Sequence, residues 1–304
     1  MSPNPYISIH IVSDLWAECV QGVKCLRNLK KYRDWGVILL EILQKKLPNP
    51  PWMLPQTRRL PGVMPMEKGD WIRIDDAYGA QMAERQRLVD TQFTDIFATC
   101  EGSDAACTEV LERILLELET TSGFSRQGDV ITCPDGREVV LDYSNPLLTA
   151  GLLVQDDLCV LEKKGDEYDL TAAILCFPAS WSLAEKIGKP MMAIHAPVAS
   201  YTPDIGKRVS RMFDAIHVDR PLWRANGLLY QDPTLFQPRT MAARRQRPDD
   251  DAAFIRSERQ CFIRLPKSGA VLFSIHTYVL RQSDLTADQQ KLLAEFPIEH
   301  VELE

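Results

Sequence analysis

The chain has 304 residues, a formal net charge of −7 and a sequence pI near 5.4. This acidic balance argues against non-specific binding to nucleic acid or to an anionic membrane surface, and no apolar run approaches the roughly 18 residues that cross a bilayer. The eight cysteines form no C-x-x-C pair, and no basic region precedes an apolar stretch at the N-terminus. We therefore expect a cytoplasmic protein with reduced thiols and no membrane span.

The first part of the chain is predicted to be helical. Trp35–Lys46 has apolar residues at helical spacing and a basic end, which predicts a helix within an N-terminal helical arm over residues 1–50. The four prolines of Pro48–Pro55 are too many for a helix or a central strand. Beyond them, Asp76–Thr99 is predicted to form one long amphipathic helix and Ser103–Thr121 a second.

From about residue 138 the pattern favours strands over helices. Thr202–His217 is predicted to form another helix, and Thr286 with Gln289 forms a capping-box pair that opens a terminal helix ending near Phe296. Helices followed by neighbouring strands predict an α+β fold with a mainly antiparallel sheet, in a single domain over residues 51–304. The predicted strands are Arg137–Tyr143, Gly151–Gln155, Tyr168–Phe177, Trp223–Tyr230, Ser257–Leu265 and Ala270–Leu280.

Familiar catalytic motifs are absent from the sequence. It contains no G-x-G-x-x-G, G-x-x-x-x-G-K-[ST], H-E-x-x-H or G-x-S-x-G. Any redox chemistry would therefore need electrons from another protein. The five histidines are far apart in sequence, so no local zinc-ligand spacing exists.

One histidine, His195, lies in the almost wholly apolar stretch Leu175–Val198. The turn signals around it predict two short helical turns, with His195 at the end of the second, where it can project into a cavity beside the sheet. A buried imidazole needs a partner. The partner is either a neighbouring core group or a heme iron, which requires one imidazole in an apolar slot. The turn signals are Ser182, Glu185, Gly188, Pro190 and Pro197.

Two blocks of sequence resemble the heme-dependent oxidative N-demethylase family. The string Cys176–Val198 (CFPASWSLAEKIGKPMMAIHAPV) is similar to its Pro-Ser-x-Trp, Lys-x-Gly-x-Pro and Ile-His-x-Pro-Val signature. Ser257–Leu280 resembles its Glu-Arg-Gln and Phe-x-Ile-x-Thr-Tyr strand pair. Weaker similarities lie at 154–161 and 71–90, so the resemblance covers about residues 51–280.

This resemblance implies a PAS-like sheet that encloses one heme b, with His195 as the proximal iron ligand. It further implies oxidative demethylation of a small amine with O2. Electrons would come from NADPH through the FMN and iron–sulfur centres of a separate reductase. The family tends to have Arg-x-Asn-Trp where this chain has Arg224-Ala225-Asn226-Gly227. We expect the missing tryptophan to enlarge or reshape the pocket, which leaves dimethylamine open as the substrate.

The two propionates of a heme need cations or hydrogen-bond donors, and arginine is the best suited. Arg224 and Lys186 are the candidates, and the alternative is that both are surface charges. Trp181 and Asn226 complete the predicted cofactor-binding residues. Cys176 is a rival iron ligand, but it lies in an alternating strand without a nearby donor-rich loop to stabilise a thiolate.

The segment 257–280 is predicted to be a β-hairpin that turns between Lys267 and Ser268. In this register Arg259 lies opposite His276, and Tyr278 shares their face. We predict these three residues to be catalytic on the oxygen side. The opposed basic groups require a neutral His276 or an anion between them. The alternative is a solvated polar face without a ligand. The opposite face, with Phe262, Phe273 and Ile275, is the expected core side.

Three functions remain open at this point. The first is a heme-dependent oxygenase that demethylates an amine, and the second is a PAS-type heme sensor or carrier without turnover. The third is a protein that kept the fold and lost the cofactor. The intact His195 motif argues against the third function, and the lack of a kinase-like or DNA-binding output segment argues against the second.

Overall fold

A mainly antiparallel sheet organises the described part of the chain. The computed structural model describes residues 42–58, 62–196, 201–240, 243 and 252–298. The strands are β1 (Met64–Pro65), β2 (Phe97–Thr99), β3 (Ser125–Gln127), β4 (Val130–Thr132), β5 (Glu138–Val140), β6 (Asp157–Lys164), β7 (Glu167–Ile174), β8 (Leu222–Tyr230), β9 (Phe254–Arg264) and β10 (Val271–Arg281). The helices are α1 (Tyr78–Thr91), α2 (Phe93–Ile96), α3 (Asp104–Leu118), α4 (Pro146–Leu153), α5 (Met191–Ile194), α6 (Pro203–Asp214) and α7 (Ala287–Glu295), and a 3-10 turn covers Gln282–Asp284.

Seven strands form the main sheet in the order β1-β8-β9-β10-β6-β7-β2, and each neighbouring pair is antiparallel. A smaller sheet contains β3, β4 and β5. The predicted α+β class, with a mainly antiparallel sheet flanked by helices, is confirmed. No helix among the described residues has both the length and the apolar character needed to cross a membrane.

The predicted long helix over Asp76–Thr99 is wrong in its last third. Helix α1 ends at Thr91 because Gln92 leaves the helical region with φ −137°, and a single short turn, α2, follows. Residues Phe97–Thr99 instead form the edge strand β2, which pairs with the end of β7. Backbone pairing with a strand more than 70 residues away decides this conformation, and a local pattern does not show it.

The strand predicted for Gly151–Gln155 is also wrong. These residues include the last turn of α4, which Pro146 opens at its first position. A short apolar run fits a buried helix and a buried strand equally well. The true neighbouring strand is β6, whose first five residues are all buried and which the sequence pattern missed.

The β-hairpin over 257–280 is confirmed together with its register. Arg259 pairs with His276, and Cys261 pairs with Ser274. The capping box of the terminal helix is confirmed as well, with Thr286 as the N-cap residue of α7. These two predictions succeed because turn and cap chemistry are encoded within a few residues.

The described residues belong to one compact unit that begins at Ile42. The predicted arm over residues 1–50 lies mostly outside the described residues, so its boundary with the domain at residue 51 stays a prediction. Of the predicted helix Trp35–Lys46, only 42–46 are described, and they are not helical. Gln44 in this stretch exchanges hydrogen bonds with the backbone of Val279 on β10, at 2.9 and 2.8 Å.

Buried apolar side chains cover both faces of the main sheet. One cluster lies between the sheet and α6 and includes Tyr168, Phe213 and Phe262. A second cluster joins Leu47 and Trp52 to the end of β10. The first cluster forms the floor of the candidate site.

Candidate functional site

The loop after β7 carries the site and is fixed at its start by Asp157. This buried carboxylate accepts hydrogen bonds from the backbone N–H groups of Cys176 and Phe177, both at 2.8 Å. The first turn of the loop ends at Gly188, where φ is +72° and the N–H donates to Leu170 on β7 at 2.8 Å. Glycine adopts this left-handed conformation without steric cost. The loop is therefore attached to the sheet at two points.

His195 follows the single turn of α5 and is its C-cap residue, as the turn signals predicted. Its Nδ1 lies 3.0 Å from the carbonyl oxygen of Met191 and donates to it. Its ring stacks on Tyr201, with a centroid distance of 4.3 Å and an interplanar angle of 18°. The hydrogen bond and the stacking together fix the plane of the imidazole.

The electrostatic surroundings keep the imidazole of His195 neutral. Burial lowers the pKa of His195, and the positive charges of Lys186 and Arg224 lower it further, against the hydrogen bond to Met191. With the proton on Nδ1, the lone pair lies on Nε2, which makes no hydrogen bond within the described residues. An imidazole in this state is a ready metal ligand, because the bond at Nδ1 fixes the tautomer.

The loop that carries His195 and the sheet beneath it share a set of apolar side chains that protein atoms cover only in part. Leu222 and Phe273 extend from the sheet, and Trp181, Met191 and Ile194 extend from the loop. All five pack against the buried cluster and keep some exposed surface. Partly covered apolar surface of this kind suits a flat apolar cofactor.

The charges of the two predicted propionate partners, Arg224 and Lys186, both lower the pKa of His195. Arg224 on β8 has a buried Nε without a hydrogen-bond partner among the described residues. Burial lowers the pKa of Arg224, and the charge of Glu258 opposes this. Lys186 is half-buried and donates to the carbonyl of Ile194, and burial lowers its pKa. A carboxylate would satisfy both cations.

Asn226 is a predicted cofactor-binding residue whose amide is engaged with the protein. Its Nδ2 donates to Oε2 of Glu258 at 2.9 Å, and its Oδ1 accepts from the backbone N–H of Glu258, also at 2.9 Å. Asn226 therefore orients Glu258, and direct contact with a cofactor stays a prediction.

The residues around His195 fit a heme. They supply one imidazole nitrogen and one buried guanidinium nitrogen that have no partner among the described residues, together with partly covered apolar side chains. Among the described residues, no three His, Cys, Asp or Glu side chains are arranged to hold a metal ion by themselves. His195 is thus a single ligand, which suits a metal that brings its other ligands with it.

The rival ligand Cys176 is a buried thiol. Burial raises its pKa to about 12, against the opposing charge of Arg85. Only a thiolate binds iron well. The chemistry of the site therefore favours His195.

Arg259, His276 and Tyr278 lie together, as predicted, but on the other face of the sheet from Arg224 and Asn226. The strand register shows this, because Arg224 and Asn226 pair with residues 260 and 258, which alternate with Arg259. Arg259 is 1% exposed and His276 is fully buried, so the alternative of a solvated polar face is wrong. The structure does not bring these residues to His195.

The protein itself supplies the anions that the two opposed bases require. The ring nitrogens of His276 lie 3.1 Å from Asp156 and 3.0 Å from Asp75, and Arg259 pairs with Asp70 at 3.1 Å. Burial alone would lower the pKa of His276. The charge interaction with Tyr278 and the hydrogen bonds to the two carboxylates outweigh burial and raise it well above its usual value. His276 is therefore positively charged rather than neutral.

The expected enlargement of the pocket at Gly227 is wrong. A Cβ at this position would lie 3.1 Å from Pro51, 3.3 Å from Ile298 and 3.4 Å from the Trp52 ring. Gly227 pairs with Ser257, so this space is on the face away from Arg224. Pro51, Ile298 and the ring of Trp52 border the space that a side chain on Gly227 would enter.

Sequence reasoning missed three residues of the site. Tyr201 gives no local signal, because it reaches His195 from a separate segment. Glu258 and Thr277 are paired in register with each other on the pocket face. The predicted hairpin register already implied this pairing, because Glu258 and Thr277 alternate with Arg259 and His276 along the two strands.

A mainly antiparallel sheet flanked by helices defines an α+β protein, and its loop after β7 presents one imidazole nitrogen that has no partner among the described residues. The family model described as "Haem-dependent oxidative N-demethylase, alpha subunit-like" matches residues 62–298. The chain belongs to this family, and the resemblance seen in the sequence is confirmed. The match includes His195 and the whole hairpin of β9 and β10.

Proposed function

We propose that this chain is the heme-binding protein of an oxidative N-demethylase system, with Nε2 of His195 as the iron ligand. The observation that carries the proposal is the state of His195. Its Nδ1 is committed to Met191, and its Nε2 makes no hydrogen bond among the described residues. The loop around it carries partly covered apolar side chains, and the charges of Lys186 and Arg224 act on the ring. Membership of the family supports the same assignment.

The chain's own residues bind, orient and shield the cofactor. The carbonyl of Met191 holds the tautomer of His195, and Tyr201 prevents the ring from rotating. Arg224 and Lys186 would hold the propionates, and Trp181 would pack on the macrocycle. When bound, heme b supplies the oxidation of a small amine by O2. The electrons would come from a separate reductase that carries NADPH, FMN and iron–sulfur centres.

The predicted catalytic residues Arg259, His276 and Tyr278 enter this proposal as positioning residues. Their side chains are buried on the opposite face of β9 and β10. Charge pairs and hydrogen bonds there hold the strands that carry Glu258 and Thr277. We therefore expect their replacement to affect turnover through the geometry of the sheet.

The experiment that tests the proposal combines heme reconstitution with turnover. Protein reconstituted with hemin is supplied with a chemical reductant, O2 and dimethylamine, and oxygen uptake and formaldehyde are measured together. We expect a one-to-one heme complex and formaldehyde that depends on the amine. A heme complex without amine-dependent formaldehyde from a panel of small amines would favour a sensor or carrier, and failure to bind heme would contradict the proposal.

A further inference from the structure

A polar patch interrupts the apolar face of the sheet on the side of His195. It consists of Asn226 on β8, Glu258 and Gln260 on β9, and Thr277 on β10. Glu258 lies directly between Asn226 and Thr277 in the strand register. Glu258 is 5% exposed and Thr277 is 0% exposed. Buried polar groups on a sheet face need partners, because their hydration is lost.

The patch holds its carboxylate rigidly and leaves one oxygen free. Oε2 of Glu258 accepts hydrogen bonds from Nδ2 of Asn226 at 2.9 Å and from Nε2 of Gln260 at 2.8 Å. The side chain of Asn226 also accepts from the backbone of Glu258. Oε1 makes no hydrogen bond within the described part of the chain. The hydroxyl of Thr277, on the same face, is buried and has no partner in the described part of the chain.

The patch adjoins the proposed heme site through Arg224. Arg224 lies two residues before Asn226 and pairs in register with Gln260. Its charge acts both on His195 and on Glu258. The free carboxylate oxygen is therefore on the pocket side of the sheet, next to the cation assigned to a propionate.

We infer that Glu258 and Thr277 form the recognition site for the ammonium group of the amine, an assignment that rests on the proposed function. An ammonium supplies the two things that the patch lacks. Its N–H groups can donate to Oε1 of Glu258 and to the hydroxyl of Thr277, and its positive charge pairs with the carboxylate. An anion or a ligand with acceptors alone can supply neither.

The neighbouring Arg256 does not fill this role. Arg256, two residues from Glu258 on the same face, directs its guanidinium to the carbonyls of Leu235 and Phe177. Among the described residues, no lysine or arginine nitrogen lies within 4.0 Å of the Glu258 carboxylate. The closest fixed donors are the two amides on Oε2, which leaves Oε1 for the substrate.

The test is calorimetric titration of the hemin-reconstituted protein with dimethylammonium chloride, with 2-propanol as an uncharged probe of similar size. The variants are Glu258→Gln and Thr277→Val, and the control is Glu295→Gln on the exposed face of α7. We expect wild type and control to prefer dimethylammonium over 2-propanol. Glu258→Gln should weaken dimethylammonium binding at least tenfold, and Thr277→Val should weaken it severalfold.

The heme Soret band and the melting temperature show whether each variant is folded and loaded. Unchanged dimethylammonium affinity in both variants, or equal binding of the two probes by wild type, would overturn the inference. If Glu258→Gln does not fold, Thr277→Val decides alone by the same criterion. If wild type takes up no heme, the proposed function fails, and the same titration of the heme-free protein still tests the ammonium site.

Discussion

At the scale of single residues, His276 shows how a charge is kept inside the molecule. Its ring is fully buried between the carboxylates of Asp75 and Asp156. Burial alone would raise the pKa of Asp75. The hydrogen bond and the charge of His276 outweigh burial, together with the hydrogen bonds from the amides of Gln155 and Gln44, and the pKa of Asp75 is therefore lowered. Each group therefore favours the charged form of the other, and replacing one partner would leave the other charged and buried.

This arrangement predicts a loss of stability on the alkaline side. The folded-state pKa of His276 is raised above the unfolded value of about 6.5. The contribution of His276 to the free energy of unfolding is therefore complete below pH ~6.5, and it is lost as the pH rises through the folded-state pKa of His276. Urea unfolding between pH 6 and 9 measures it. His276→Gln should be less stable at pH 6 and show a flatter profile, whereas the exposed His217→Gln control should follow wild type. Equal slopes in all three proteins would contradict the assignment.

Arg224 is the residue whose predicted role depends on a missing partner. Its buried Nε has no acceptor among the described residues, so a propionate would supply one. Arg224→Ala should release heme to an apomyoglobin acceptor about tenfold faster, which corresponds to about 1.4 kcal/mol. Arg220→Ala, an exposed arginine just before β8, is the matched control. A rate of heme loss equal to that of the control would remove Arg224 from the site.

At the scale of elements, the β9–β10 hairpin carries both the charged layer and the polar patch. Its turn is clamped by Glu109 of α3, which accepts from the N–H groups of Lys267 and Ser268 at 2.5 and 2.7 Å and from the Ser268 hydroxyl at 2.6 Å. Glu109 is 4% exposed. Loss of its carboxylate would leave these donors without their partner.

Glu109→Ala should therefore lower the free energy of unfolding by about 1–3 kcal/mol. The control is Glu112→Ala, one turn further along α3, whose ion pair with Lys267 is exposed on both sides. Exposed pairs contribute little, so this variant should unfold close to wild type. Chemical denaturation compares the two variants. If they are equally destabilised, the clamp is not what holds the turn.

Elements that depend on turn and cap residues close in sequence could be predicted. Elements that depend on pairing with a strand far away in sequence could not. The hairpin, the α7 cap and the turns before His195 depend on neighbours within a few residues. The edge strand β2 and the buried strand β6 depend on partners elsewhere in the sheet. The apolar run at α4 had no period that distinguishes a helix from a strand.

At the scale of the whole molecule, the two faces of one sheet perform different tasks. The face with Arg259 and His276 is a closed charged layer. The face with Arg224 and Glu258 meets the loop that carries His195. Sequence patterns pointed to His195 and Lys186 through the block Cys176–Val198, and to Arg224 through the family's Arg-x-Asn-Trp motif. They placed the predicted catalytic residues on one face of the hairpin without showing which face the loop covers, since only the folded chain decides that.

The most direct test of the account is a hemin titration of His195→Ala. Because Nε2 of His195 is proposed as the iron ligand, this variant should lose the wild-type Soret band and bind hemin at least a hundredfold more weakly, about 2.7 kcal/mol. Its far-UV circular dichroism should match wild type, and His217→Ala should bind hemin normally. Imidazole added to His195→Ala should restore part of the wild-type spectrum. A His195→Ala protein with full heme content and an unchanged Soret band would contradict the account.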